Sequence, residues 1–246
     1  MRAVVFAGPS LHGIAPDRFD AFEFRPPAAC GDILAALHED TPAIGLIDGV
    51  FENTAAVWHK EILAALERGV AVYGAASMGA LRAAECHLFG MVGIGRIFDD
   101  YAAGRRVADA DVAVVHAPAD FDFKPLTEAL VDVEVTIEVL LARGFLVQGE
   151  AVHLAERAKR FHYKERTWST LLQTIPAGVQ RRDKIRDALR RHAVKQKQAD
   201  AVALLRRMQV DALVPRVDAA RCEPMQHTLF LQTLERRVLH QEGGGR

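Results

Sequence analysis

The sequence has few cysteines and no long apolar run, and each shortage argues against a class of protein. Its three cysteines, Cys30, Cys86 and Cys222, are odd in number and far apart, which argues against a disulfide framework or a cysteine-rich zinc site. No apolar run approaches the roughly 18 residues of a membrane span, and the apolar start before Gly8 is too short for a signal-peptide core. We therefore expect a protein of the cytoplasm with no membrane partner.

The net charge of −1 hides a strong asymmetry along the chain. Residues 1–150 hold 11 Lys and Arg against 22 Asp and Glu, whereas residues 151–211 hold 15 against 6. Such a division suggests a protein partner, nucleic acid, or packing of one half on the other. The basic run 181–197 lacks interleaved aromatic residues and any nucleic-acid motif. A solvated helix face is the default interpretation of this run, docking on an acidic protein comes next, and no nucleic-acid partner is predicted.

Alternating strand and helix patterns occupy the first half. A helical pattern that Asn53 or Thr54 could cap ends near Gly69, and another runs from Ser77 to Gly90. Nearly continuous apolar runs are typical of strands covered on both faces, and four such runs flank these helices: Ala3–Ala7, Ile44–Ile47, Val70–Tyr73 and Val112–Val115.

The second half is predicted to be helical, with helical spacing at 126–143, 150–173, 178–209 and 225–240 and a disordered tail EGGGR. The fold class is therefore α/β: a small, mainly parallel sheet with flanking helices in the N-terminal half, followed by a helical C-terminal half. We divide the chain into an α/β core at 1–125 and a helical region at 126–246.

The densest chemical signal is the passage from strand to helix around Ser77, in VAVYGAASMGALR. A serine there lies at the carboxyl edge of the sheet, with the backbone N–H groups of Met78 and Gly79 available to stabilise an oxyanion. The motif G-x-x-S-x-G does not match the nucleophile elbow of α/β-hydrolases. Serine is also a favoured N-cap, and the spacing alone favours that interpretation.

A serine nucleophile needs a base. His59, His87 and His116 lie in this half but in no recognisable triad context. A lysine kept neutral by apolar surroundings is the other solution, and Lys60 lies between Trp58 and an isoleucine. The predicted start of its helix places Lys60 about six residues along, roughly 9 Å from the N-terminus. A solvated surface lysine is the simpler alternative.

Other residues near this edge have two interpretations each. Asp48 ends a predicted strand and either orients a catalytic group or holds a turn with Gly49. Arg82 is about 140° around the helix from Ser77 and is expected to pair with Glu85 or the sheet edge. The small residues around the serine suit either a narrow cleft or tight packing: Gly74, Ala75, Ala76 and Gly79.

Several ordered segments carry a family resemblance: GPSL (8–11), RPPAACGD (25–32), IGLIDGVFE (44–52), AVWHKEIL (56–63), VYGAASMGALRAAE (72–85), FGMVGIGRIF (89–98) and DDYAAG (99–104). Together they resemble the TfuA family. The resemblance implies a fold outside the common superfolds and a partner of YcaO enzymes, which use ATP to convert a peptide amide to a thioamide. It also implies hydrolysis of a thiocarboxylated ThiS-type sulfur-carrier protein, which releases sulfide.

The resemblance further implies a Ser–Lys pair, matched here by Ser77 and Lys60. The peptide or protein substrate is reached through YcaO, and no metal or organic cofactor is needed because the ATP belongs to the partner. An alternative is a non-catalytic adaptor that assembles YcaO, peptide and sulfur donor, which the charge division also favours. A nucleotide-binding α/β domain is a third hypothesis, but the sequence has no phosphate-binding motif.

Overall fold

A computed structural model describes residues 2–52, 54–213 and 228–243. Within them a five-stranded sheet has the order β2-β1-β3-β4-β5, and every neighbouring pair is parallel. The strands are β1 (Ala3–Phe6), β2 (Phe22–Arg25), β3 (Ala43–Leu46), β4 (Ala71–Ala75) and β5 (Val92–Ile94). This strand order is shared by doubly wound sheets of the flavodoxin type.

Helices connect the strands and then form the second half. The connecting helices are α1 (Asp32–His38), α2 (His59–Glu67) and α3 (Met78–Cys86), and α4 (Arg96–Ala102) follows β5. The remaining helices are α5 (Leu130–Ala142), α6 (Gln148–Arg160), α7 (Trp168–Gln173), α8 (Val179–His192), α9 (Gln196–Ala212) and α10 (Leu229–Gly243). The predicted α/β class with a helical second half is confirmed.

Both faces of the sheet are covered by helices. On one face, Phe6, Ile44 and Leu46 pack in a core with residues of α1, α2 and α10. On the other face, Val5 and Tyr73 pack with residues of α9. Continuous apolar strands follow from this burial on both sides. Helices α5 to α8 share a separate core, and the domain boundary at residue 125 stays a prediction.

Two strand predictions need correction. The run Val112–Val115 is not a strand. Its apolar character reflects burial of an irregular segment, since Val112 and Ala113 are buried and Val112 packs in a core with residues of α3, α4 and α5. The two edge strands β2 and β5 were not predicted, because Phe22 alone of the four β2 residues is buried and β5 has three residues with a central glycine.

The start of α2 also differs from the prediction. Thr54 is not its cap, and Asn53 lies outside the described residues. The helix begins after Trp58, whose N–H donates to Glu61 Oε1 at 3.1 Å. The predicted tail at 242–246 begins inside α10, and its last three residues lie outside the described part. No helix among the described residues has the length and apolar character to cross a bilayer.

Candidate active site

Three parallel strands deliver polar residues to one edge of the sheet. The Pro9–Leu11 turn follows β1, Asp48 lies just beyond β3, and Ser77 follows β4. The chain order reverses between β1 and β3, because β2 lies on one side of β1 and β3 on the other. Crevices at such a switch point, outside the carboxyl ends of the strands, are the usual ligand sites of open α/β sheets.

Asp48 fixes the loop that follows β1. Its side chain is buried, and Oδ2 accepts hydrogen bonds from the N–H of Gly8 at 2.9 Å and of Ser10 at 3.0 Å. Oδ1 accepts the Ser10 hydroxyl at 2.7 Å. Asp48 therefore holds the β1 loop rather than only a turn with Gly49, and it brings a carboxylate to the edge where Ser77 lies.

Ser77 occupies the N-cap position of α3 but does not cap it. Its side chain makes no capping hydrogen bond, and its backbone has φ −122° and ψ −123°. The preceding Ala76 is left-handed with φ 66°, a conformation that costs a non-glycine residue about 1–2 kcal/mol. The Ser77 N–H turns back to Ala75 O at 2.8 Å. Within the described ranges the Ser77 hydroxyl has no hydrogen-bond partner, and a strained turn with such a hydroxyl is more typical of a reactive serine than of a helix cap.

The two predicted oxyanion donors differ in availability. The Gly79 N–H donates to Ile47 O at 3.2 Å, so the prediction that it is free is wrong. The Met78 N–H, the first of α3, has no hydrogen-bond partner in the part of the chain that the structure describes. Only the Met78 N–H therefore stays a candidate, with the positive end of the α3 dipole behind it.

The small residues beside Ser77 serve packing. A Cβ at Gly79 would lie 1.8 Å from Leu46 O, and a Cβ at Gly74 would lie 2.2 Å from Gly79 O. Helix α3 therefore rests directly on the backbone of β3 and β4. Gly74, Ala75, Ala76 and Gly79 do not line the cavity described below, so close packing is the better of the two interpretations of these residues.

Arg82 ties α3 to the start of α2. Its Nε donates to Val57 O at 2.8 Å, and Nη1 donates to Glu85 Oε2 at 2.7 Å. The predicted pair with Glu85 is confirmed. Arg82 does not line the Ser77 cavity, so its contribution to the site is to hold α2 and α3 together.

Lys60 is the second residue of α2 and is half-buried. The predicted depth of six residues is wrong because the helix begins at His59 and the apolar Val57 belongs to the preceding buried loop. Lys60 lies near the N-terminus of its helix but is not among the residues that line the Ser77 cavity.

The cavity beside Ser77 has a volume of about 460 Å³. Two buried ionisable side chains, Asp48 and Lys197, line it together with Ser77. Its other walls are apolar or more exposed: Pro9, Pro27, Gly49, Val50, Phe51, Glu52, Thr54, Val114, Val115, His116, Tyr163 and Lys164. The segment that was wrongly predicted as a strand thus forms one wall.

Lys197 is the site residue that sequence reasoning missed. It lies near the start of α9 and is buried, whereas the basic run that contains it was interpreted as a solvated face. Its Nζ donates to Val112 O at 2.7 Å and lies 3.9 Å from Asp48 Oδ1. Burial lowers the pKa of Lys197 below its usual 10.5, and the nearby Asp48 and Asp132 carboxylates oppose that shift. No local motif distinguishes this lysine from its basic neighbours in the sequence.

The sheet carries a serine after a left-handed residue at its carboxyl edge, and a buried lysine lines the same cavity, so this class of α/β protein has a candidate serine-nucleophile site. Residues 48–167, which include Asp48, Lys60 and Ser77, match the family model of TfuA-like proteins. The chain is thus TfuA-like over this stretch, and the resemblance drawn from the sequence motifs is confirmed. No curated protein sequence matches the chain.

Proposed function

We propose that this protein hydrolyses the thiocarboxylated C-terminus of a ThiS-type sulfur carrier and supplies the sulfide to a YcaO enzyme. TfuA-like proteins are associated with YcaO-related thioamidation, which gives the context for this reaction. The proposal rests on one observation: Ser77 stands in a strained turn, makes no capping bond and lines a cavity of about 460 Å³. Because YcaO uses ATP, we assign the protein to the cytoplasm.

The cavity suits an extended peptide tail. Pro9, Pro27 and Gly49 contribute walls with little side-chain bulk, and Lys164 adds a group that can offset a negative charge. Lys164 pairs with Glu52, so an incoming anion competes with that carboxylate. A flexible Gly-Gly tail that ends in a thiocarboxylate combines the slenderness and the charge that this cavity accepts.

The reaction begins when the Ser77 hydroxyl attacks the thiocarboxylate carbonyl carbon and a neutral lysine takes its proton. The family motif nominates Lys60 for this role, although Lys60 is not among the residues that line the Ser77 cavity. The tetrahedral oxyanion is stabilised by the Met78 N–H at the start of α3. Hydrosulfide then leaves, since its conjugate acid is far stronger than water. Water attacks the acyl-enzyme, and the products are the carrier carboxylate, hydrosulfide and one proton.

The test is sulfide release from thiocarboxylated carrier protein by the wild type and by Ser77→Ala and Lys60→Ala. Ser169→Ala is the matched control, because Ser169 is exposed on α7. We expect Ser77→Ala to abolish release while the control keeps the wild-type rate. Thermal melts establish that each variant is folded.

An adaptor that assembles YcaO, peptide and sulfur donor is the second candidate function, and the opposite charges of residues 1–150 and 151–211 favour it. An adaptor tolerates Ser77→Ala. If the wild type releases no sulfide, or if folded Ser77→Ala supports thioamidation by YcaO as well as the wild type does, the hydrolase proposal is wrong and the adaptor replaces it.

A further inference from the structure

We infer that Lys197, on α9, is the base that accepts the Ser77 proton. This inference rests on the proposed function, which it deepens by naming the proton acceptor. Lys197 and Ser77 line the same cavity, and both residues are almost completely buried. Lys60 does not line that cavity, and Lys197 lies outside the stretch that matches the TfuA-like family.

The contacts of Lys197 orient its amino group. Nζ donates one hydrogen to Val112 O at 2.7 Å, and the Asp48 carboxylate lies 3.9 Å away. The Lys197 backbone N–H is held by Asp132 Oδ1 at 2.9 Å, which anchors the first turn of α9. A neutral amine that donates one hydrogen to Val112 O keeps its lone pair for another partner, and Ser77 lines the same cavity.

The electrostatic surroundings keep the amine available. Lys197 is buried, and among the described residues the charged groups that act on it are Asp48 after β3 and Asp132 of α5. Burial outweighs these two carboxylates and lowers the pKa of Lys197. A base must be unprotonated at the working pH, so this shift is in the direction that catalysis needs.

The proton and the bonds balance with Lys197 in this role. The Ser77 Oγ–carbon bond forms while Nζ takes the hydroxyl proton, and the carbon–sulfur bond then breaks with the electron pair leaving on sulfur. Protonated Lys197 returns its proton to the departing sulfur. In the second half-reaction Nζ takes a proton from water while the water oxygen bonds to the acyl carbon. The carbon–Oγ bond then breaks, the proton passes from Nζ to Oγ to restore the hydroxyl, and the carrier leaves as its carboxylic acid, which ionises to the carboxylate.

The experiment measures how fast Ser77 reacts with a fluorophosphonate probe, followed by intact mass. In this reaction an Oγ–phosphorus bond forms, fluoride leaves, and the hydroxyl proton goes to the base. Because the probe replaces the carrier, the result does not depend on the identity of the natural substrate. The variants are Lys197→Met, which keeps the side-chain length, Lys60→Ala and Ser77→Ala, with Lys184→Ala as an exposed control on α8.

We expect Lys197→Met to slow labelling at least about 100-fold, the lower end of general-base effects, while Lys184→Ala labels at the wild-type rate. Equal labelling by folded Lys197→Met and wild type overturns the inference but leaves hydrolysis at Ser77 intact. Loss of labelling in Lys60→Ala, with Lys197→Met unaffected, assigns the base to Lys60. A wild type that is labelled no faster than Ser77→Ala overturns both proposals.

A second measurement keeps Lys197 and removes the charge of a neighbouring carboxylate, Asp132. Burial raises the pKa of Asp132 to about 6, so its carboxylate is charged at alkaline pH and favours protonated Lys197. Asp132→Asn keeps the shape and an oxygen that can accept the Lys197 N–H. We expect it to shift the midpoint of the pH–labelling profile downward. An unchanged midpoint contradicts the role of Lys197.

Discussion

The contact of α3 with β3 makes Gly79 the most sensitive packing position beside the site. Its Cα faces the backbone of β3, and an added Cβ would lie 1.8 Å from Leu46 O. The obstacle is a backbone carbonyl inside a sheet, which cannot rotate away as a flexible side chain can. Gly79→Ala must therefore move α3, and with it the turn that holds Ser77.

Two contributions set the expected loss of stability in Gly79→Ala. Overpacking of a buried site typically costs 1–3 kcal/mol, and displacement of α3 also breaks the Gly79 N–H bond to Ile47 O, which is worth about 1 kcal/mol. We expect Gly79→Ala to lower the free energy of unfolding by about 2–4 kcal/mol. For a chain of this length that corresponds to a fall in Tm of roughly 5–15 °C.

The matched control is Gly149→Ala. Gly149 lies in the first turn of α6, and an added Cβ would meet nothing within 4 Å. Because alanine is the better helix former, this variant should gain up to about 1 kcal/mol. Urea unfolding of both variants, with sulfide release measured in parallel, tests the argument. Equal stability of the two variants, or full activity in Gly79→Ala, would refute the close contact between α3 and β3.

Three further predictions concern the surroundings of the site. Burial raises the pKa of Glu61 to about 7. The protonated Glu61 side chain therefore contributes stability that is fully present below pH 4.5 and is lost as pH rises through 7. In urea titrations the free energy of unfolding of the wild type should fall by about 3 kcal/mol between pH 4.5 and 8, and Glu61→Gln should not show this fall. A difference between wild type and variant that does not change with pH would contradict this. Ala76→Gly should relieve the left-handed strain and raise stability by about 0.5–1 kcal/mol, seen as a higher Tm; a lower Tm would show that φ 66° is not strained there. The rings of Trp58 and Phe230 lie at an interplanar angle of 30° with centroids 3.8 Å apart, so Phe230→Ala should cost about 1 kcal/mol and alter tryptophan fluorescence. Leu239→Ala on the exposed side of α10 should do neither.

The part of the fold that was predictable from sequence is the part where burial alone decides structure. Strands β1, β3 and β4 are covered by helices on both faces, so their residues are apolar without interruption. Edge strands lack that signature: Phe24 of β2 is partly exposed, and β5 is too short to show a period. The run at Val112–Val115 shows the limit of the rule, because an irregular segment buried against helices is as apolar as a strand.

The same limit applies to the candidate site: residues that follow buried strands were predicted from the sequence, and a residue on a distant helix was not. Ser77 and Asp48 were found because each follows a buried strand, and parallel strands bring their carboxyl ends to one edge. Lys197 was missed because its position depends on how α9 packs on the sheet face that holds Val5 and Tyr73. It lies about 120 residues after Ser77 along the chain. Nothing in its neighbourhood distinguishes a buried lysine from a solvated one. A basic residue that a distant helix carries into a buried site becomes visible only when the tertiary contacts are known.

The same contacts give the second half of the chain a role in the site. Helix α9 covers the sheet face that holds Val5 and Tyr73, and its first turn carries Lys197 to the cavity. The Asp132 carboxylate of α5 holds the Lys197 N–H, so the position of the amine depends on the packing of α5 against α9. Changes in the helical half that separate these two helices should therefore impair reactivity of Ser77 even though they leave the sheet intact.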